Sequence, residues 1–249
     1  MVVPLIVPAP GHLRAILINN NATKTNEPLV DLILSAQYAT HLKISNNPHF
    51  IGAVWETYVS AKEWYVMDDV AGPSYGDGVK IVYVQFGQGV VPPPASPTQF
   101  SGIFNATIIL DTTPPVVGPV PIFINGGNLK TDRRQVALTL NASGAQSVEL
   151  YNENDLSTLT GGTILPYQST IQWVLSEGNG IKSVYVVFID DVENRTSFFS
   201  SSISLIGQEI GQPVIIKPVD GTITTDKFVT IEGSGDPGSI VRINVEGER

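Results

Sequence analysis

The chain has 249 residues, 42% of them hydrophobic and 15% charged, with 18 prolines, 23 glycines and no cysteine. This is enough chain for two or three modest cores, with a globular composition, and the missing thiols exclude disulfides, thiolate nucleophiles and zinc–sulfur sites. A net charge of −9 with no run of Lys or Arg excludes a phosphate-binding face, so nucleic acid is not an expected partner.

The chain opens MVVPLIVPAP. No Lys or Arg precedes the apolar residues, and Pro4, Pro8 and Pro10 interrupt them. Residues 1–14 are therefore expected to form an extended arm and not a leader peptide. Val2, Val3, Leu5, Ile6 and Val7 are candidate contact residues, either along the first domain or as an apolar peg docked into a neighbouring chain. No run of about 18 apolar residues follows anywhere, so no membrane insertion is expected.

From residue 18 onward the sequence is written twice. Ile18-Asn19-Asn20 returns as Ile124-Asn125-Gly126, and Lys24-Thr25 as Lys130-Thr131. The alternating run Val30, Leu32, Leu34, Ala36 returns as Val136, Leu138, Leu140, Ala142, and Leu42-Lys43-Ile44 as Val148-Glu149-Leu150. Tyr58 and Trp64 match Tyr167 and Trp173, and GVKIVYVQF at 78–86 matches GIKSVYVVF at 180–188. A period of about one hundred residues suits a whole sandwich domain, not a solenoid unit.

Every matched segment alternates in polarity and is rich in β-branched and aromatic residues, the signature of half-buried strands. Val82, Val84 and Phe86 share one face, as do Val184, Val186 and Phe188, and these are the expected core together with Trp64 and Trp173. Residues 29–42 read as a strand pair joined by a turn near 37–40. Trp55 has no clear counterpart in the second copy and is a candidate for contact.

The copies differ in their loops. Residues 68–78 are a turn-rich insertion carrying Asp68, Asp69, Tyr75 and Asp77, and residues 87–97 are a polyproline-like excursion carrying Val90, Val91, Pro92, Pro93 and Pro94. Loops at the ends of a sandwich are where binding sits, so Tyr75 and residues 90–94 join the candidate interaction set. Asp68, Asp69 and Asp77, and separately Asp190, Asp191 and Asn194, raise the question of calcium. Their spacing fits no calcium loop, and turn chemistry accounts for them without a metal.

A third copy starts at Pro213-Val214-Ile215-Ile216. It continues through Asp220-Gly221, Val229-Thr230-Ile231-Glu232-Gly233, Asp236-Pro237-Gly238-Ser239 and a strand at 240–245. About three strands are fewer than a sandwich needs. The segment is expected to be a piece of a longer module, to be simply short and pack on the second domain, or to be completed by another chain through strand addition.

These motifs resemble the Ig-like repeat modules of bacterial surface proteins and tailed-phage virion proteins. The matching elements are the Ile-Asn-x-Gly-type turn, the Val-x-Leu-x-Leu strand, the Tyr/Trp segment, the Gly-x-Lys-x-Val-Tyr-Val-x-Phe strand and the Asp111-Thr112-Thr113-Pro114-Pro115 linker. The family's Asp-x-x-Gly-Asn turn is present in the second copy with Glu193 in the glycine place, and absent from the first. The resemblance covers residues 15–207. It implies an all-β fold of tandem Ig-like β-sandwich domains with a short, incomplete third β module. The expected boundaries are an arm at 1–14, sandwiches at 15–115 and 116–210, and a partial module at 211–249.

Catalytic signatures are missing. His12, His41 and His49 all fall in the first 49 residues, with no Gly-x-Ser-x-Gly elbow, His-Glu-x-x-His or phosphate loop, so no enzymatic activity and no cofactor are expected. Asn-x-Ser/Thr matches at Asn21, Asn105, Asn141 and Asn194 are read as chance.

An extracellular type of module on a chain read as starting at its own Met, without an export signal, points to a tailed-phage virion component. A tail, baseplate, neck or capsid-surface protein would assemble in the host cytoplasm and contact other chains, copies of itself included. The alternative is an adhesion or carbohydrate-binding module at a bacterial surface or outside the cell. That reading requires exposed coplanar aromatics that take a cell-surface glycan, with Trp55, Tyr65 or Tyr75 as candidates.

Overall fold

The computed structural model describes residues 4–67, 76–89, 97–153, 162–207, 214–235 and 242. Val2, Val3, Asp68, Asp69, Tyr75, residues 90–94 and, apart from residue 242, the expected turn and strand at 236–245 lie outside the described residues.

Eight strands occupy residues 16–110. They are β1 (Ile16–Ile18), β2 (Lys24–Thr25), β3 (Leu29–Leu34), β4 (His41–Ser45), β5 (Glu56–Thr57), β6 (Ala61–Tyr65), β7 (Gly78–Gln88) and β8 (Gln99–Leu110). Among the described residues they form two sheets, ordered β1-β3-β6 and β2-β8-β7-β4-β5. Residues 116–205 repeat the plan with β9 (Val116–Ile124), β10 (Lys130–Thr131), β11 (Gln135–Ser143), β12 (Ser147–Asn152), β13 (Thr163–Pro166), β14 (Thr170–Val174), β15 (Gly180–Ile189) and β16 (Phe199–Leu205). Their sheets run β9-β11-β14 and β10-β16-β15-β12-β13. The fold is all-β, two Ig-like sandwiches in tandem.

The twice-written segment is β7 and β15, each central in its sheet, with β4 and β8, or β12 and β16, on either side. A central strand buries alternate side chains and offers its backbone to both neighbours, which accounts for its Val/Ile/Tyr/Phe content. Val82, Val84, Phe86, Val184, Val186 and Phe188 are all fully buried. Phe86 meets Tyr58 edge-on at 5.9 Å and Phe104 at 6.4 Å, and Phe188 meets Tyr167 at 6.1 Å and Phe199 at 6.4 Å. The two cores repeat down to ring geometry.

One expectation is corrected. The strands on either side of the turn near 37–40 do not pair with each other: β3 lies in one sheet and β4 in the other. Val30, Leu32 and Leu34 therefore meet Leu42 and Ile44 across the core. The same run as a hairpin would line one face and leave the facing sheet bare.

Residues after 213 contribute β17 (Val214–Lys217) and β18 (Glu232–Ser234), paired antiparallel. Val214, Ile215, Ile216, Phe228 and Ile231 are exposed. Among the described residues of this segment these apolar side chains face solvent. Among the described residues no helix is long and apolar enough to cross a membrane.

Candidate functional site

Three local devices recur in both sandwiches, and a fourth stands in the first; together they fix where loops and ends stand. The Ile-Asn turn places consecutive residues in the left-handed region, at φ 44°, 53° and 69° for Asn19, Asn20 and Asn21, and 47°, 65° and 91° for Asn125, Gly126 and Gly127. Asn and Gly tolerate that conformation. The first Asn of each turn also accepts a hydrogen bond from the next strand, Asp31 N at 2.8 Å and Ala137 N at 2.9 Å.

Tyr58 donates to Leu34 O at 3.0 Å and accepts from Ala36 N, and Tyr167 donates to Ala142 O at 3.0 Å and accepts from Ala142 N. Each tyrosine clamps the crossing between sheets. Trp64 and Trp173 are half-buried at the margin of their cores, not within them. Each donates its indole N–H to an Asn at the end of the facing sheet, Asn46 Oδ1 at 2.7 Å and Asn152 Oδ1 at 2.9 Å.

The fourth device holds the segment that leaves the first sandwich. Asp77 accepts hydrogen bonds from Thr112 N at 2.9 Å, Thr112 Oγ1 at 2.8 Å and the Thr113 hydroxyl. The Thr113 hydroxyl is the chief cause that holds the Asp77 carboxyl below its ordinary value, against a smaller opposing effect of burial. In the second copy Asn179 stands in the same Gly-x-Gly frame, and its side chain crowds Gly207, where a Cβ would lie 2.6 Å from Asn179 Nδ2. The matched triplets Gly76-Asp77-Gly78 and Gly178-Asn179-Gly180 are the sequence signal for this role.

The sandwiches meet where the second copy keeps its turn. Asp190 Oδ1 accepts from Val192 N and Asn194 N, and Asp190 Oδ2 accepts from Asn194 Nδ2 at 2.9 Å. So oriented, Asn194 Nδ2 also donates to Asp111 O in the linker at 2.7 Å. Lys24 Nζ reaches Asp191 Oδ2 at 2.6 Å, and that bond holds the lysine pKa above its ordinary value. Of the residues weighed as calcium ligands, Asp77, Asp190 and Asp191 are thus engaged with the linker, the turn backbone and a lysine, while Asp68 and Asp69 lie outside the described residues. Among the described residues no group of three or more His, Asp or Glu side chains is placed to hold a metal.

The opposite end of the first sandwich carries the candidate interaction residues. Ile6 pairs with Gln37, its N–H donating to Gln37 O at 3.2 Å and its carbonyl accepting from Gln37 N at 2.7 Å. Leu5 and Val7 pack on the first domain's own core, along which the arm lies. Ile6 remains exposed. Trp55 is half-buried and stacks on Phe100 at 5.4 Å with an interplanar angle of 29°. Lys43 Nζ lies 4.9 Å from the Trp55 ring centre and 4.5 Å from that of Phe50.

A Cβ on Gly87 would lie 2.4 Å from Pro97 Cγ and 3.1 Å from Trp55, so only glycine fits beneath the base of the proline loop. Thr40 Oγ1 and Thr98 N donate to Gly89 O and Gln88 O and tie down the near side of that loop. In the second sandwich the places of Lys43 and Phe100 are taken by the ion-paired Glu149 and Arg195. Tyr65 is exposed on β6, in the other sheet from β5, the strand next to Trp55. The two aromatics do not form one platform.

No protein-family model matches the chain, and no curated protein matches its sequence. Among solved structures the chain is similar to the fibronectin(III)-like modules of Clostridium thermocellum CbhA. The TM-score is 0.42 at 9% identity, over 77% of this chain and 94% of that one. It is also similar to the FN1–FN3 domains of chicken CNTN1, with a TM-score of 0.41 at 9% identity, over 80% of this chain and 68% of that one.

Proposed function

We propose that the chain is a non-enzymatic structural and interaction protein, a virion component of a tailed phage whose Ig-like domains mediate assembly or host-surface contact. The observation that supports this reading is the end-to-end joint. Asp77 holds the linker, Asn194 binds its carbonyl at Asp111, and Lys24 binds Asp191, so the linker and both sandwiches are tied together, as a connector in an assembly requires. A glycan-binding role draws no support from Trp55, because Phe100 and Lys43 already engage its ring.

An antibody against the chain tests the proposal on lysates of infected host cells fractionated by density. The chain is expected to band with particles at a fixed copy number and to be labelled on intact virions. Recovery with the host envelope or as free secreted protein would overturn it and favour the adhesion reading.

A further inference from the structure

We propose that two copies of the chain associate through the free edge of β8, antiparallel about a two-fold axis near Asn105. This deepens the assembly reading above by naming a contact between copies.

β8 pairs with β7 along one side, and along the other only Ile109 and Leu110 are met, by the two-residue strand β2. Ile109 N donates to Thr23 O at 3.0 Å and Asp111 N to Thr25 O at 2.9 Å, so odd-numbered residues direct their backbone groups to that side. Alternation then aims the N–H and C=O groups of Ile103, Asn105 and Thr107 at the same free edge. Among the described residues no backbone partner meets them there.

The second sandwich is built differently at this place. Its strand β9 runs for nine residues, from Val116, and flanks β16. The counterpart β1 has only three, because the chain before it swings outward through a turn closed by His12 N to Ala9 O, leaving Leu13 99% exposed.

Proteins guard exposed edges with charges, prolines or short strands. β6 carries Lys62 and Glu63, and β9 carries Pro119 and Pro121. β8 is twelve residues long, QFSGIFNATIIL, with neither charge nor proline. Ile103, whose backbone groups face that edge, is 51% exposed. In a chain of net charge −9, two copies repel over most of their surface, and this neutral strand lets them meet without opposing like charges. A two-fold antiparallel pairing is self-complementary, so the same edge serves as both partners.

Light scattering of the full chain over a dilution series tests the pairing. The expected result is a dimer that dissociates on dilution. Asn105→Lys, which sets two like charges near the axis, should weaken it by about tenfold or more without lowering the melting temperature. Because the chain has no cysteine, Asn105→Cys should also cross-link to a dimer with a short bifunctional thiol reagent. A monomer at every concentration would overturn the inference. So would a dimer that survives Asn105→Lys but is lost on Ile215→Ser, which would place the contact on β17–β18. The virion measurement does not depend on this contact, so failure here and failure of the proposed function can be told apart.

Discussion

Lys182 points inward at the end of β15 and is almost fully buried, although its neighbours on that face are Val184, Val186 and Phe188. Its Nζ donates to Glu177 O at 2.6 Å and lies 3.5 Å from Glu153 Oε1. Burial pushes the Glu153 carboxyl up. Hydrogen bonds from Ser176, from its own backbone N–H and from Ser183, with the Lys182 charge, outweigh burial and hold it below its ordinary value. A carboxyl depressed on folding adds stability above its unfolded pKa of about 4.3, and that stability is lost as pH falls through the folded value. Urea unfolding should therefore show a loss of stability below about pH 4.3 that Glu153→Gln lacks. Lys182→Ala should cost about 2 kcal/mol at neutral pH, less than for a fully dry pair because Glu153 keeps some solvent contact. Glu193, in the place where the family resemblance expects Gly, adopts φ 71°. Glu193→Gly should stabilise the second sandwich by about 1 kcal/mol, read as a higher denaturant midpoint.

At the scale of elements, each sandwich is pinned where its two sheets approach. Asn152 ends β12 and accepts from Trp173 on β14, so Asn152→Ala leaves a half-buried indole N–H without that acceptor and should cost about 1–3 kcal/mol. Phe188→Ala removes a ring that touches Tyr167 and Phe199 in the centre of the second core. It should cost about 3–5 kcal/mol in the same unfolding measurement. Its first-copy counterpart, Phe86→Ala, should behave alike, since the ring contacts match. The inward set on β7 and β15 was legible in the sequence because period-two alternation records which side of a strand meets water. The sheet to which a strand belongs was not: β3 and β4 alternate equally well as a hairpin or as strands on facing sheets.

At the scale of the molecule, the joint rests on few atoms. Asn194→Ala with Asp191→Ala removes both side chains by which the second sandwich holds the linker and Lys24. Small-angle scattering should then show a broader distribution of interdomain distances, while each sandwich unfolds at its former midpoint. The Lys24–Asp191 pair is exposed, so salt should weaken it. Because the Lys24 pKa is raised, its contribution is present through neutral pH, below the unfolded value of about 10.4, and is lost as pH rises through the folded value.

The sequence by itself determined the repeat, the strand-forming segments and the inward-facing residues of the central strands, because burial on one side of a strand leaves a local, periodic record. Only the tertiary structure decided what lies far apart in the chain and close in space. Trp55 meets Phe100, Asp77 holds Thr112, Lys24 reaches Asp191, and among the described residues the backbone of β8 from Ile103 to Thr107 has no strand partner on its outer side. Those choices follow from sheet membership, loop path and the geometry of closing a sandwich, none of which leaves a periodic trace in the sequence.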